Sequence, residues 1–138
     1  MRVGNAPVSW GIFEIAGMSV DLPYRNVMDE IAEAGYEGTE LGPWGYYPTD
    51  PDSLKAELDA RGLILASAFC PVDLTRPDVY SVAESTALAV ADLLQRLGVR
   101  ELILADPFRS ERAVVAGRAG PAHELSPAAY HLQADGLN

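Results

Sequence analysis

The chain has 138 residues, 49% of them apolar and 22% charged, with a formal net charge of −10. That length suits one ordinary domain with a real core, and the composition is globular rather than disordered. The acidity argues against nucleic acid and anionic membrane surfaces as partners, because like charges repel, and no apolar run approaches the roughly 20 residues of a membrane span.

In chain order, residues 3–8 read as a short strand with Pro7 near its end. Asp21 is placed to cap a first helix, with Pro23 in the first turn, where its missing N–H costs nothing. Val27, Met28, Ile31 and Ala34 follow at helical spacing, and Gly35 can close the helix. Residues 36–41 give a second strand. In "TDPDSLKAELDARG", Thr49 or Asp50 caps, Pro51 opens, Leu54 and Leu58 share a face, and Gly62 terminates. Residues 63–69 are a buried third strand. Residues 77–97 hold a long Ala/Leu/Val helix ended by Gly98, and residues 100–106 a fourth strand stopped by Pro107.

Near-continuous apolar strands joined by helices of this length imply parallel pairing with right-handed crossovers. No glycine-rich phosphate loop or Walker lysine follows the first strand, which weakens a Rossmann or P-loop reading. The remaining common parallel architecture is the β/α barrel. The expected fold class is α/β: the N-terminal half of a (β/α)8 TIM barrel, about four parallel strands with helices on one side. Residues 1–107 would be the first four β/α units. Residues 108–138 would be a long loop and the start of the next helix, capped by Ser126 with Pro127 at its first position, so that the chain ends mid-barrel.

In a β/α barrel the chemistry sits at the C-terminal strand ends. That rule selects Ser9, Trp10 and Glu14 from strand one, then Glu40 and the loop 41–47 from strand two. Strand three adds Phe69, Cys70 and Asp73, and strand four adds Asp106, Phe108 and Arg109. Aromatics gather there (Trp10, Phe13, Trp44, Tyr46, Tyr47, Phe69, Phe108) beside the carboxylates Glu14, Glu40, Asp73 and Asp106. Aromatic walls with carboxylates suit a polyhydroxylated ring, whose faces are apolar and whose rim carries hydroxyl donors. Plainer readings compete. Trp10 can plug the barrel top, and Asp106 before Pro107 can be a turn former. Glu40 sits in an otherwise apolar strand, where a carboxylate is costly unless paired. Cys70, the only cysteine, allows no internal disulfide and reads as a small core residue, since no His is placed to activate it. Arg109, Arg112 and Arg118 read as decoration of a solvated loop, and His123 and His131 make only a weak metal spacing. The N-terminus lacks a signal peptide's apolar core, so a cytoplasmic location is the default.

"APVSWGIFE" together with "GYEGTELGPWGYYP" resembles the start of the inosose dehydratases. These are members of the xylose-isomerase-like superfamily of sugar isomerases and epimerases. The resemblance continues through "LILASAFCPVDL", "ELILADP" and "HELSPAAYHLQADGLN". It implies a complete eight-unit barrel that dehydrates a keto-inositol, or moves a proton between carbons of a sugar, with a divalent metal (manganese or cobalt) holding adjacent substrate oxygens. A cation beside a ketone acidifies the α-proton, and a carboxylate or His then moves it. On the strand-end rule Glu40 is taken as the catalytic carboxylate and Trp10, Glu14, Trp44 and Asp106 as substrate-binding residues, around the small sugar or cyclitol that the resemblance implies. The family's metal ligands come mainly from the later strands, so none is expected here. The expectation is therefore the N-terminal portion of a lyase or isomerase, inactive alone and completed by a C-terminal half. The alternative is a non-catalytic half-barrel that self-associates or binds sugar weakly.

Overall fold

A computed structural model of the chain describes residues 1–15, 17–108 and 114–137. Four parallel strands form one sheet in the order β1-β2-β3-β4: β1 Gly4–Asn5, β2 Gly38–Glu40, β3 Ile64–Pro71 and β4 Leu102–Ala105. Between them run helices α1 Tyr24–Glu33, α2 Pro51–Asp59 and α3 Tyr80–Arg96, and α4 Pro127–Asp135 follows β4. This is the half TIM barrel with helices on one side that the strand–helix alternation implies.

β1 is shorter than the expected strand over 3–8. Asn5 ends it by accepting hydrogen bonds on Oδ1 from the Ala6 N–H at 2.8 Å and the Ser9 hydroxyl at 2.7 Å. Pro7, which has no N–H to give a ladder, then opens a 3-10 turn over Pro7–Trp10. Asp21 does not cap α1. Pro23 stands at the N-cap with no side-chain bond, and the Asn26 N–H goes to its carbonyl at 3.0 Å. The other caps form as the sequence implies. Asp50 accepts from the Ser53 N–H before Pro51, and Ser126 accepts from the Ala129 N–H before Pro127.

The core lies between the sheet and the helices. Val27, Met28 and Ile31 of α1, Leu54 and Leu58 of α2, and Val90, Leu93 and Leu94 of α3 are buried against Thr39, Leu65, Ala68 and Cys70 of the strands. Outside it, Glu57 of α2 accepts from Arg25 at 2.6 Å and Arg61 at 2.7 Å, and Arg61 also pairs with Asp29 of α1. α4 docks on the helical layer too: Tyr80 of α3 donates its hydroxyl to the Leu132 carbonyl at 2.9 Å. The opposite face of the sheet stays open, with Ile64 41% and Ile103 46% exposed. Leu102 and Leu104 flank Ile103 but turn toward α3, because successive strand residues alternate faces.

Candidate functional site at the strand ends

Glu40 closes β2, and an irregularity in the sheet decides what it meets. Gly38 pairs with Ile64 and Thr39 with Leu65, but Glu40 pairs with Ser67, so the register skips Ala66. The Ser67 hydroxyl donates to Glu40 Oε1 at 2.7 Å. The Leu41 N–H donates to the Ser67 carbonyl at 3.0 Å, so one residue holds both the side chain and the next backbone unit. From below, the Thr39 hydroxyl donates to the Glu40 carbonyl at 2.9 Å. Its single proton is then used, so the Tyr47 hydroxyl, 3.2 Å from Thr39 Oγ1, is the donor of that pair. Burial pushes the Tyr47 phenol up to about 12, partly offset by the Thr39 bond, which keeps that proton in place.

Glu40 lines a hollow with Asn5, Ala6, Thr39, Ala66 and Ser67, and a separate cleft of about 360 Å³ is lined by Phe13, Glu14, Ser19, Trp44, Phe69 and Cys70, among others. Ser19 ties the loop that carries Glu14: its hydroxyl accepts from the Phe13 N–H at 2.8 Å and donates to the Phe13 carbonyl at 2.9 Å. Gly42 lets the β2 loop cross under the first turn, since a Cβ there would stand 2.9 Å from Pro7 Cγ. Trp44, 42% exposed, stands among the residues that line the cleft. The Glu14 carboxyl is raised above its ordinary value, first by burial, against a smaller opposing backbone hydrogen bond, and further by the negative charge of Glu40. Two carboxylates thus feel each other at the strand ends, next to aromatic surface.

The structure sets Glu14 and Trp44 on the cleft and Glu40 in the hollow with Ser67, and it holds Trp10 apart. The Trp10 indole N–H donates to Glu30 Oε2 of α1 at 2.5 Å, which turns the ring to the helical layer and not to the cleft. Tyr46 and Tyr47 also leave the expected aromatic mouth. They stack on each other at 5.4 Å between ring centres, and Tyr46 donates to the Leu22 carbonyl at 2.9 Å. Asp106 lines a separate hollow of about 560 Å³ with His123, Glu124, Tyr130 and Gln133. Cys70 is buried and its thiol is raised by burial, as a core residue's would be. Asp73 accepts from the Thr75 N–H and hydroxyl in a local turn. Phe108 is 57% exposed, and Arg109 and Arg112 lie outside the described residues. Ser67 was the residue sequence reasoning passed over. A lone hydroxyl inside "LILASAF" was its only signal.

Among the described residues no three His, Cys, Asp or Glu side chains converge on one point. Glu14 and Glu40 alone are too few donors to hold a divalent cation, so these residues do not fit the metal that the resemblance implies. No helix of the described residues is long and apolar enough to cross a membrane.

No protein-family model matches the chain. It is similar to the inosose dehydratase of Lacticaseibacillus casei, 30% identical over 115 residues that cover 83% of this chain and 38% of that protein. The inosose dehydratase of Clostridium beijerinckii is 27% identical over 143 aligned positions, covering 100% of this chain and 46% of its own length. The rhizopine catabolism protein MocC of Rhizobium meliloti is 35% identical over 77% of this chain and 32% of itself. The chain thus spans less than half the length of these relatives. Among solved structures, a family 2 AP endonuclease from Brucella melitensis matches with a TM-score of 0.61 at 15% identity, over 99% of this chain and 48% of that one. A xylose isomerase domain protein from Alicyclobacillus acidocaldarius subsp. acidocaldarius matches with a TM-score of 0.50 at 20% identity, over 74% and 35%.

Proposed function

We propose, for a chain that matches the inosose dehydratases in part and folds as half of a xylose-isomerase-like barrel, that it supplies the β1–β4 wall of a site for a polyhydroxylated keto compound. The substrate class is a keto-inositol or a ketose sugar, and the reaction is proton transfer leading to dehydration or isomerisation. The observation that carries this reading is that Glu14, on the cleft, feels the charge of Glu40, in the hollow with Ser67. Glu40 is oriented by Ser67, whose hydroxyl donates to Oε1, and in this reading its Oε2 accepts the substrate proton. Glu14, its protonated form favoured by burial and by Glu40, donates to a substrate oxygen. Trp44 covers a face of the ring. The divalent cation, manganese or cobalt in the resemblance, is left to a complementing half, and the chain alone turns nothing over. A cytoplasmic location completes the reading, supported by a single, buried, unpaired Cys70.

The chain has two tryptophans, so its two indole N–H signals report separately on cleft and helical layer. Titration with inosose followed by NMR should move the Trp44 signal and leave Trp10 still, and Glu40→Gln should weaken the response. A flat titration at both indoles would remove the binding role. Metal-dependent turnover by the chain alone, abolished by a chelator, would overturn the incomplete-site reading.

A second reading, a non-catalytic half-barrel that self-associates, draws on the exposed Ile64 and Ile103 and on the sheet edges at β1 and β4, which no further strand of the described residues pairs. Light scattering discriminates: a mass that rises with concentration and falls back in Ile103→Lys favours it.

A further inference from the structure

We propose that Ser67 is the positioning residue for Glu40, and that the register shift between β2 and β3 exists to put it there. The inference rests on the reading of Glu40 as a site carboxylate. Without the shift, Glu40 would stand opposite Ala66, which has no group to offer a carboxylate. Skipping that residue places a hydroxyl across from Glu40, and the 2.7 Å bond to Oε1 results. Bulges of this kind re-aim a side chain at the rim of a sheet. A glutamate at the end of a strand has three rotatable bonds and would otherwise sample several rotamers.

Among the described residues Ser67 is the sole side chain that hydrogen-bonds the Glu40 carboxylate. Among the described residues no other hydrogen bond reaches the Glu40 carboxylate, and no cation pairs with it. The bonds from Thr39 and Leu41 act on the backbone and leave the carboxylate free to turn. Binding of one oxygen by Ser67 also divides the carboxylate's labour: Oε1 is occupied as an acceptor, and Oε2 is the atom presented to a substrate proton. Ser67 touches no reacting atom in this account; it acts through Glu40.

The test has a ligand-free arm and a ligand arm. In the free chain, side-chain scalar couplings should report one χ1 rotamer for Glu40 in the wild type, averaged rotamers in Ser67→Ala, and one rotamer again in Ser67→Thr, which keeps the hydroxyl. Unchanged amide signals along β3 establish that each variant is folded. A Glu40 that stays in one rotamer in Ser67→Ala overturns the proposal, whatever any ligand does. With inosose as probe, Ser67→Ala should weaken the Trp44 response about fivefold to tenfold, the size of a typical net hydrogen bond, because a Glu40 that samples several rotamers is less often placed for the ligand. In the Glu40→Gln background the same substitution should change it less than twofold. Equal losses in both backgrounds would mean that Ser67 acts independently of Glu40, and would also overturn the proposal. If the ligand moves no signal while the rotamer result holds, the functional reading fails and the positioning role stands.

Discussion

The hydroxyl of Tyr47 rests 3.2 Å from Thr39 Oγ1 beneath the sheet, and Thr39 in turn donates to the carbonyl of Glu40. A fully buried aromatic thereby fixes the backbone of the residue that carries the site's carboxylate. Tyr47→Phe keeps the ring and loses one bond, so it should cost about 1 kcal/mol in urea unfolding. Thr39→Val should cost more, about 1–3 kcal/mol, because it strands the Tyr47 hydroxyl without an acceptor. The double variant should cost less than the sum; full additivity would show that the two groups do not interact.

Trp10 belongs energetically to the contact with α1. Trp10→Phe removes the indole N–H that Glu30 accepts and should cost about 1 kcal/mol, with the inosose response of Trp44 unchanged. A loss of ligand response in Trp10→Phe at unchanged stability would return the residue to the cleft.

Glu14 sets a pH dependence in one direction. Its folded pKa lies above the ordinary 4.5, so the folded chain holds that proton more tightly than the unfolded one. The contribution is complete below about pH 4.5 and is lost as pH rises through the folded value. Glu14→Gln should therefore be more stable than wild type at pH 7 and equal to it at pH 4 by urea midpoint. Carboxyl carbon NMR should find Glu14 titrating at lower pH in Glu40→Gln, yet still above the ordinary value, since burial is the larger cause. An unmoved titration would separate the two carboxylates.

Glu57 works with the opposite sign. Arg25 and Arg61 hold its pKa down at about 2, against an ordinary 4.5. Its contribution is present above about pH 5 and is lost as pH falls toward 2. The urea midpoint should decline across that window, and Glu57→Gln should flatten the decline. Added salt should weaken the effect, because Arg25 is open to solvent. An identical acid slope in wild type and variant would assign the loss to other carboxylates.

What the sequence determined by itself was local or periodic. Asp50 and Ser126 reach N–H groups a few residues on, and Pro51 and Pro127 have the φ that a first helical turn needs, so these helix starts were legible. The apolar runs of β3 and β4 and the helices between strands carried the parallel half-barrel, and the strand-end rule pointed to Glu14, Glu40 and Trp44 as candidates. The tertiary structure decided what depends on partners distant in sequence. Trp10 and Glu30 are 20 residues apart, and nothing near Trp10 says that its indole will be drawn to a helix carboxylate. Trp44 and Tyr47 share one short loop, yet one faces solvent and the other the core, because only Tyr47 lies over Thr39 and Tyr24. The partner of Glu40 turned on a single skipped residue in the pairing of β2 with β3, and register is a property of two strands together, not of either alone.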